Sequence, residues 1–568
     1  MSMHRPNAVT GAEAMVRMLQ GYGVRHIFGL CGDTSLPFYD ALYRLDHGID
    51  HILTRDERSA AYMADAYARV SGRVGVCEGP SGGGATYIAP GLVEANESSI
   101  PILAINSDVS TTSAGRYPLT ELDQAALFRP LTKWNAVIPS ADMLPRLVRA
   151  AFRAMTTGRP GAAHLGLPID VQKAPAPEGE IWWEAGHARF PAWPAAPDPA
   201  AVEAALDRLL AAERPLLVCG GGVVNSGGEA ELARLAERLD LAVATTISGR
   251  GSLADTHPNM VGVVGSNGGV VATRDVVEAA DVVVFIGCRA GSVTTERWRF
   301  PAPGTDIIHI DADPMVIGAS YRTQVAVVAD ARLALAAMNA ALARRTGTPL
   351  PRFGGGDLAQ AARLAKHAAF KPLADSLERP IRPERVVAAL NACLPDDAVV
   401  VADPGTPCPY LSAFLVMDKP GRRFISNRAH GALGYSLSAA VGAHYARPAA
   451  KCISVMGDGS FGFTAGELET IVRKQLPIAF IVVANATYGW IKAGQRSGFG
   501  GRYFSVDFSA TDHAAVARAF GVPAERVEDP EQVLPAIRRA VEAGGPALVD
   551  IACQPLHEAH APVSEWIA

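Results

Sequence analysis

The run Gly457-Asp458-Gly459-Ser460, followed further along by Asn485, has the residue types that hold a divalent cation against a phosphate. An apolar run precedes each: 452–456 ahead of Gly457, and 478–484 ahead of Asn485. If both runs are strands, Asp458 and Asn485 stand at neighbouring strand ends and can converge on one hard ion. Mg²⁺ takes oxygen ligands in an octahedron and commonly shares them with a phosphate. The glycines let backbone N–H groups approach that phosphate, and a helix expected to begin near Thr464 adds its dipole. A lone Gly-Asp-Gly is more often a tight turn whose acid caps a helix. The cation reading therefore needs companions elsewhere in the chain.

Three further elements supply them. Arg55-Asp56-Glu57 opens a run of small residues, with Ala60, Ala61, Ala64 and Asp65 ahead of Tyr67-Ala68-Arg69 and Gly72. Gly431-Ala432-Leu433-Gly434 precedes a small-residue helix over 438–443. Asp403-Pro404-Gly405-Thr406 follows the apolar run 398–402. Read singly, these are a charge at a helix start, a core leucine and a routine turn.

Together, and in this order, the four elements resemble those of thiamine diphosphate (ThDP) enzymes of the acetolactate synthase-like superfamily, across nearly the whole chain. The resemblance implies that Glu57 is the carboxylate that activates the aminopyrimidine. It implies that Leu433 wedges between the two rings of ThDP and that the Gly431 carbonyl accepts from the 4′-amino group. Gly405, Thr406, Gly457, Gly459, Ser460 and Gly489 then contact the cofactor, while Asp458, Asn485 and the Thr487 carbonyl bind Mg²⁺. Asp56 is a departure, since relatives often carry His there. The cofactor provides the electron sink, and the protein provides placement and charge.

The residues after Asn485 bear on the reaction. Trp490, Ile491 and Gly494 stand where the acetolactate synthase pattern has Met, Val and a bulky aromatic, so they are the candidate substrate contacts. Gly494 implies a pocket wider on the acceptor side. Pyruvate decarboxylases have Glu at the Ile491 position, which disfavours simple release of an aldehyde. The loop Thr120-Glu121-Leu122-Asp123-Gln124 partly matches oxalyl-CoA decarboxylases, with Glu121 the candidate catalytic residue; its bland reading is a polar turn. Four functions stay open. The first is decarboxylation of a 2-oxo acid with acyl transfer to a carbonyl acceptor. The others are a lyase or decarboxylase of acyl-CoA thioesters, a flavin-dependent oxidase, and a non-catalytic relative.

Positioning these residues requires several domains, because 568 residues exceed one core. Thr10 and Glu13 have capping-box spacing at the start of a helix. Short apolar strands then alternate with Gly-rich turns and helices, the pattern of parallel sheets covered on both faces. The expected fold is α/β, with three doubly wound parallel-sheet domains: pyrimidine-binding 1–180, central Rossmann-like 200–345 and diphosphate-binding 375–568. Linkers are expected over 174–199 and 346–356. In the central domain, Gly220-Gly221-Gly222, Asp311 and Asp313 are the residues that would face FAD or ADP; relatives hold either or nothing there.

A net charge of −5 without a basic block excludes nucleic acid as a natural partner. No apolar stretch is long enough to span a membrane. Residues 1–10 lack the apolar core of a signal peptide. Eight cysteines without a C-x-x-C pair suit a reducing cytoplasm. The resemblance further implies a homodimer or homotetramer with active sites at the subunit interface.

Overall fold

Eighteen strands form three six-stranded sheets among the described residues, every pairing parallel. The computed structural model describes residues 9–345, 349–559 and 561–564, so 346–348 of the second expected linker and 1–8 of the N-terminal stretch considered for a signal peptide lie outside the described residues. The first sheet comprises β1 (His26–Gly29), β2 (Asp50–Leu53), β3 (Gly75–Gly79), β4 (Ile102–Asp108), β5 (Trp134–Val137) and β6 (Ala163–Pro168). Its order is β2-β1-β3-β4-β6-β5. The second has β7 (Pro215–Cys219), β8 (Ala242–Thr245), β9 (Met260–Val263), β10 (Val282–Ile286), β11 (Asp306–Asp311) and β12 (Val325–Val328), ordered β12-β11-β10-β7-β8-β9. The third has β13 (Val399–Ala402), β14 (Phe424–Ser426), β15 (Cys452–Gly457), β16 (Ile478–Ala484), β17 (Ala524–Val527) and β18 (Ala547–Ala552), ordered β14-β13-β15-β16-β18-β17.

The winding of each sheet reverses between two central neighbours: β1 and β3, β7 and β10, and β13 and β15; the first and third sheets also end with their last two strands inverted, β6 inside β5 and β18 inside β17. This is double winding, and the crevice beyond the strand ends at each reversal is where such sheets take ligands. Central strands are buried along their whole length, as strands covered on both faces must be. The capping box at Thr10 is present: Glu13 N–H donates to the Thr10 hydroxyl and Thr10 N–H to the Glu13 carboxylate. No helix among the described residues is long and apolar enough to cross a membrane.

The chain divides into two units. One gathers residues up to 193 with 429–449 and 464–474; the other holds 194–428, 450–463 and 475 onward. The first unit contains the first sheet, and the second unit contains the other two. The connections on either side of β15 thus belong to the first unit, although the strand itself belongs to the second.

Within the first unit, the helix Glu57–Ser71 packs against the helix Tyr435–Ala446. The small residues of the two sequences explain how closely they approach. A Cβ added at Gly442 would lie 2.0 Å from the Met63 carbonyl oxygen. Polar links fasten the same seam: Ser438 to Ser59 at 3.0 Å, and the Tyr435 hydroxyl to the buried Asp65 carboxylate. Gly442→Ala should therefore destabilise the protein by about 1–3 kcal/mol, the cost of overpacking a filled interior. Thermal unfolding measures this, and a melting temperature equal to wild type would mean that the helices part without cost.

Candidate functional site

Asp458 and Asn485 follow β15 and β16, which are adjacent and in register up to the pair Gly457–Val483. Asp458 is buried and starts a helix directly, Asp458–Thr464. The helix expected to begin near Thr464 therefore starts at Asp458 and ends at Thr464, because β15 runs straight into it at the Gly-Asp junction. A 3₁₀ turn (Ala465–Glu467) and a second short helix (Leu468–Arg473) follow. The Asp458 carboxylate accepts from the N–H groups of Asn485 (2.7 Å), Ala486 (2.6 Å) and Gly459 (2.9 Å). Burial raises its carboxyl above the ordinary range, against the opposite pull of these three donors.

The Asn485 side chain has neither its oxygen nor its nitrogen partnered, and both atoms are buried. Buried amides normally find partners. Beside a carboxylate at a sheet's switch point, an unmatched amide oxygen suits a cation. No cluster of three His, Cys, Asp or Glu side chains able to hold a metal occurs among the described residues. A metal at Asp458 would therefore draw on amide and carbonyl oxygen, the ligands of hard ions. The Thr487 carbonyl accepts from Gly489 N–H at 2.9 Å, which leaves one lone pair, and the Thr487 hydroxyl donates to Val506 O. Across the switch point, Ser460 donates to Asp403 at 2.8 Å, tying the Gly457–Ser460 turn to the loop bearing Gly405 and the buried Thr406. These residues fit the diphosphate end of ThDP with its cation.

Glu57 lies in the first unit. Asp56 is the N-cap of its helix, accepting from Arg58 N–H at 2.8 Å and pairing with the Arg58 guanidinium at 2.7 Å. That local role accounts for an acid at this position. Glu57 is 4% exposed, and its side chain lies on a floor of glycines. A Cβ at Gly79 would come within 3.1 Å of its Cγ, and one at Gly84 within 3.0 Å of its Oε1. Burial raises the Glu57 carboxyl, with the negative charges of Asp56 and Glu78 adding to the shift. A buried acid with raised proton affinity suits the donor role toward an aminopyrimidine nitrogen.

Gly431 has φ +75° with open space where a Cβ would point, and Gly434 (φ +84°) precedes the helix that begins at Tyr435. Leu433 is half-buried between them. The sequence reading missed what holds this loop. Glu94, fully buried, accepts from the N–H groups of Ala429 (3.4 Å), His430 (2.7 Å) and Gly431 (3.4 Å), and pairs with Arg69 at 3.1 Å. The signal was present as a Glu inside an apolar helix, Gly83–Glu97. Glu467 was missed too; it accepts from Arg55 N–H at 2.8 Å, two residues before Glu57. Burial pushes its carboxyl from 4.5 up to about 7. Between those values the unfolded chain loses the proton that the folded chain keeps. Stability conferred by this residue therefore falls as pH rises through the window. Glu467→Gln should flatten that slope in melts taken from about pH 5 to about 8, and an unchanged slope would assign it to other groups.

The loop at Glu121 divides by role. Glu121 is exposed and accepts from Gly115 N–H at 2.5 Å. Asp123 caps the short helix Gln124–Phe128, and buried Gln124 donates to Ser107 O at 3.0 Å and meets His164 at 3.2 Å. Asp123 and Gln124 thus build the fold locally. Thr120 has φ +71° and joins a line of hydroxyls: Ser81 at 2.7 Å, then Thr34 at 3.0 Å, then Ser107 at 2.8 Å. Trp490 is half-buried against the third sheet's core, Ile491 is 55% exposed, and Gly494 is buried in the same helix, Gly489–Gly498.

In the central sheet, the glycines at the switch point serve close packing. Gly220 and Gly222 N–H groups donate to the Ile286 and Gly287 carbonyls at 2.9 and 3.1 Å. A Cβ at Gly222 would lie 2.6 Å from Gly287 Cα. Asp311 accepts from Asp313 N–H at 2.9 Å, closing the turn after β11.

Family models for the thiamine pyrophosphate enzyme N-terminal TPP binding domain, central domain and C-terminal TPP binding domain match residues 9–127, 202–338 and 403–551. A probable acetolactate synthase large subunit of Methanocaldococcus jannaschii is 36% identical over 563 residues, covering 96% of this chain and 92% of the relative. The acetolactate synthase of Arthrospira platensis is 32% identical over 557 residues, covering 96% and 94%. The acetolactate synthase isozyme 3 large subunit of Escherichia coli is 30% identical over 540 residues, covering 94% and 92%. With all three domain models matched in order and such relatives aligned nearly end to end, the chain belongs to the acetolactate synthase-like thiamine pyrophosphate enzymes.

Proposed function

We propose that this protein is a Mg²⁺- and ThDP-dependent carboligase that decarboxylates a 2-oxo acid and passes the acyl unit to a carbonyl acceptor. The observation that carries the reading is the buried, unmatched Asn485 amide beside the Asp458 carboxylate at the switch point of the third sheet. The names of its full-length relatives support the carboligase choice. Bound ThDP would supply the electron sink for breaking and making a bond to a carbonyl carbon.

The chain's own residues do the rest. Asp458, Asn485 and the Thr487 carbonyl hold the cation, and the N–H groups around Gly457–Ser460 face the diphosphate. Glu57 keeps a proton available in its glycine-floored niche, and Glu94 holds the loop that presents Gly431 and Leu433. Glu121, Trp490, Ile491 and Gly494 are the substrate-side candidates. The reading divides the chain into domains 1–180, 200–345 and 375–568 and takes the working unit as a dimer or a pair of dimers, with each active site shared between copies. All eight cysteines are free thiols, in keeping with a reducing cytoplasm.

The test is a donor and acceptor screen read by mass spectrometry, with pyruvate, 2-oxobutyrate, oxalyl-CoA and a 2-hydroxyacyl-CoA, plus and minus Mg²⁺ and ThDP. The expected result is CO2 and a 2-hydroxy-3-oxo acid formed from two 2-oxo acids, abolished by removing either cofactor. Turnover confined to the CoA thioesters would overturn the reading.

A further inference from the structure

Arg428 lies two residues beyond β14, at the same edge of the third sheet as the Asp403–Thr406 loop, Asp458 and Asn485. Among the described residues, its guanidinium is held by neutral oxygens alone. It donates to Pro404 O at 3.3 Å. In the amide orientation that satisfies both groups, it also donates to Oδ1 of buried Asn267 at 2.5 and 3.0 Å. The Trp490 ring lies 5.9 Å from its Cζ. Asn267 comes from the loop after β9, Pro404 from the loop after β13, and Trp490 from the helix Gly489–Gly498, so three separate elements orient one cation.

Among the described residues, no carboxylate pairs with it. A half-buried guanidinium without a counter-charge is costly to keep, and with three of its five N–H donors engaged it retains two for a ligand. Such a fork matches a carboxylate or a phosphate, bidentate in either case. Two observations favour the substrate side. Its aromatic neighbour is Trp490, and its hydrogen bonds reach none of Asp458, Gly459 or Asn485.

Resting on the carboligase reading above, we propose that Arg428 is the residue that recognises the carboxylate of the 2-oxo acid. Asn267 and the Pro404 carbonyl act as positioning groups that aim its fork past Trp490. Loss of a hydrogen-bonded ion pair of this kind costs about 1.5–3 kcal/mol, or about 10- to 150-fold in affinity.

The test uses the full-length protein loaded with Mg²⁺ and ThDP and titrated calorimetrically with oxamate, an unreactive anion of pyruvate's size, and with its uncharged amide, oxamide. Arg428→Met should bind oxamate at least tenfold more weakly, with oxamide binding and Mg²⁺–ThDP affinity unchanged. Arg428→Lys, which keeps the charge and loses the fork, should fall between and guards against a folding defect in the methionine variant. Unchanged oxamate affinity in Arg428→Met overturns the proposal, as does a wild type that binds no oxamate. A parallel fall in Mg²⁺–ThDP affinity also overturns it, because the fork would then serve the diphosphate. Oxamate binding that depends on Arg428, in a protein that turns over no 2-oxo acid, supports the anion site and overturns the carboligase reading instead.

Discussion

Glu57→Gln should lower turnover by ~10²-fold or more, the scale of a positioned proton-transfer group, while the protein folds and melts as the wild type does. The substitution keeps the length and shape of the side chain, so the contacts with Gly79 and Gly84 survive. The change lies in the proton. The carboxyl is buried and its proton affinity raised above the ordinary range, which favours the protonated form that can donate to the cofactor and take the proton back. An amide in the same place can donate a hydrogen bond but cannot release the proton. The burial that raises the carboxyl also makes a neutral amide easy to accommodate, so a stability defect is not expected to mask the result. Steady-state rates under saturating Mg²⁺ and ThDP decide the matter, and near-wild-type turnover would remove Glu57 from the reaction.

Asp458→Ala should weaken Mg²⁺ and ThDP together, by about 10- to 150-fold or more for the loss of a charged, hydrogen-bonded partner. The carboxylate has two duties in the structure. It ties the turns after β15 and β16 by accepting from Asn485, Ala486 and Gly459 N–H groups, and it provides the negative charge beside the unmatched Asn485 amide. Asp458→Asn separates them, since the amide oxygen can still accept from the backbone while the charge is gone. Calorimetry should therefore show weak cofactor binding in both variants and a stability loss mainly in the alanine one. Unchanged ThDP affinity in both would place the diphosphate elsewhere.

Much of this was legible because the relevant signals are local. Gly-Asp-Gly after an apolar run fixes a strand end, and the small residues after Glu57 mark a helix that others approach closely. Double winding follows from the alternation of strands and helices. What stayed hidden depends on contacts distant in sequence. Glu467 and Arg428 sit in unremarkable surroundings in the chain, and Glu94 stands out only as an acid in an apolar helix; folding alone brings each to the backbone or side chains it serves. Gln124, three residues after Glu121, is likewise tied to residues distant in sequence, Ser107 and His164. The helix expected near Thr464 instead starts at Asp458, because the strand runs directly into it despite the low helix propensity of Gly459 and Gly462.

The crossing of the chain between its two units bears on how the protein is made. Twelve of the fifteen residues in the helix Glu57–Ser71 are buried, yet the helix that covers its Met63 side, Tyr435–Ala446, is encoded beyond the entire central sheet. On the ribosome, where folding proceeds from the N-terminus, the nascent first sheet must wait with that seam uncovered until residues 464–474 have also emerged. The first unit therefore has no self-sufficient N-terminal gene fragment: a chain released at residue 193 would carry the sheet without its lid. Glu57 sits at the head of that waiting helix, so its final surroundings are completed late in synthesis, in step with those of Asp458.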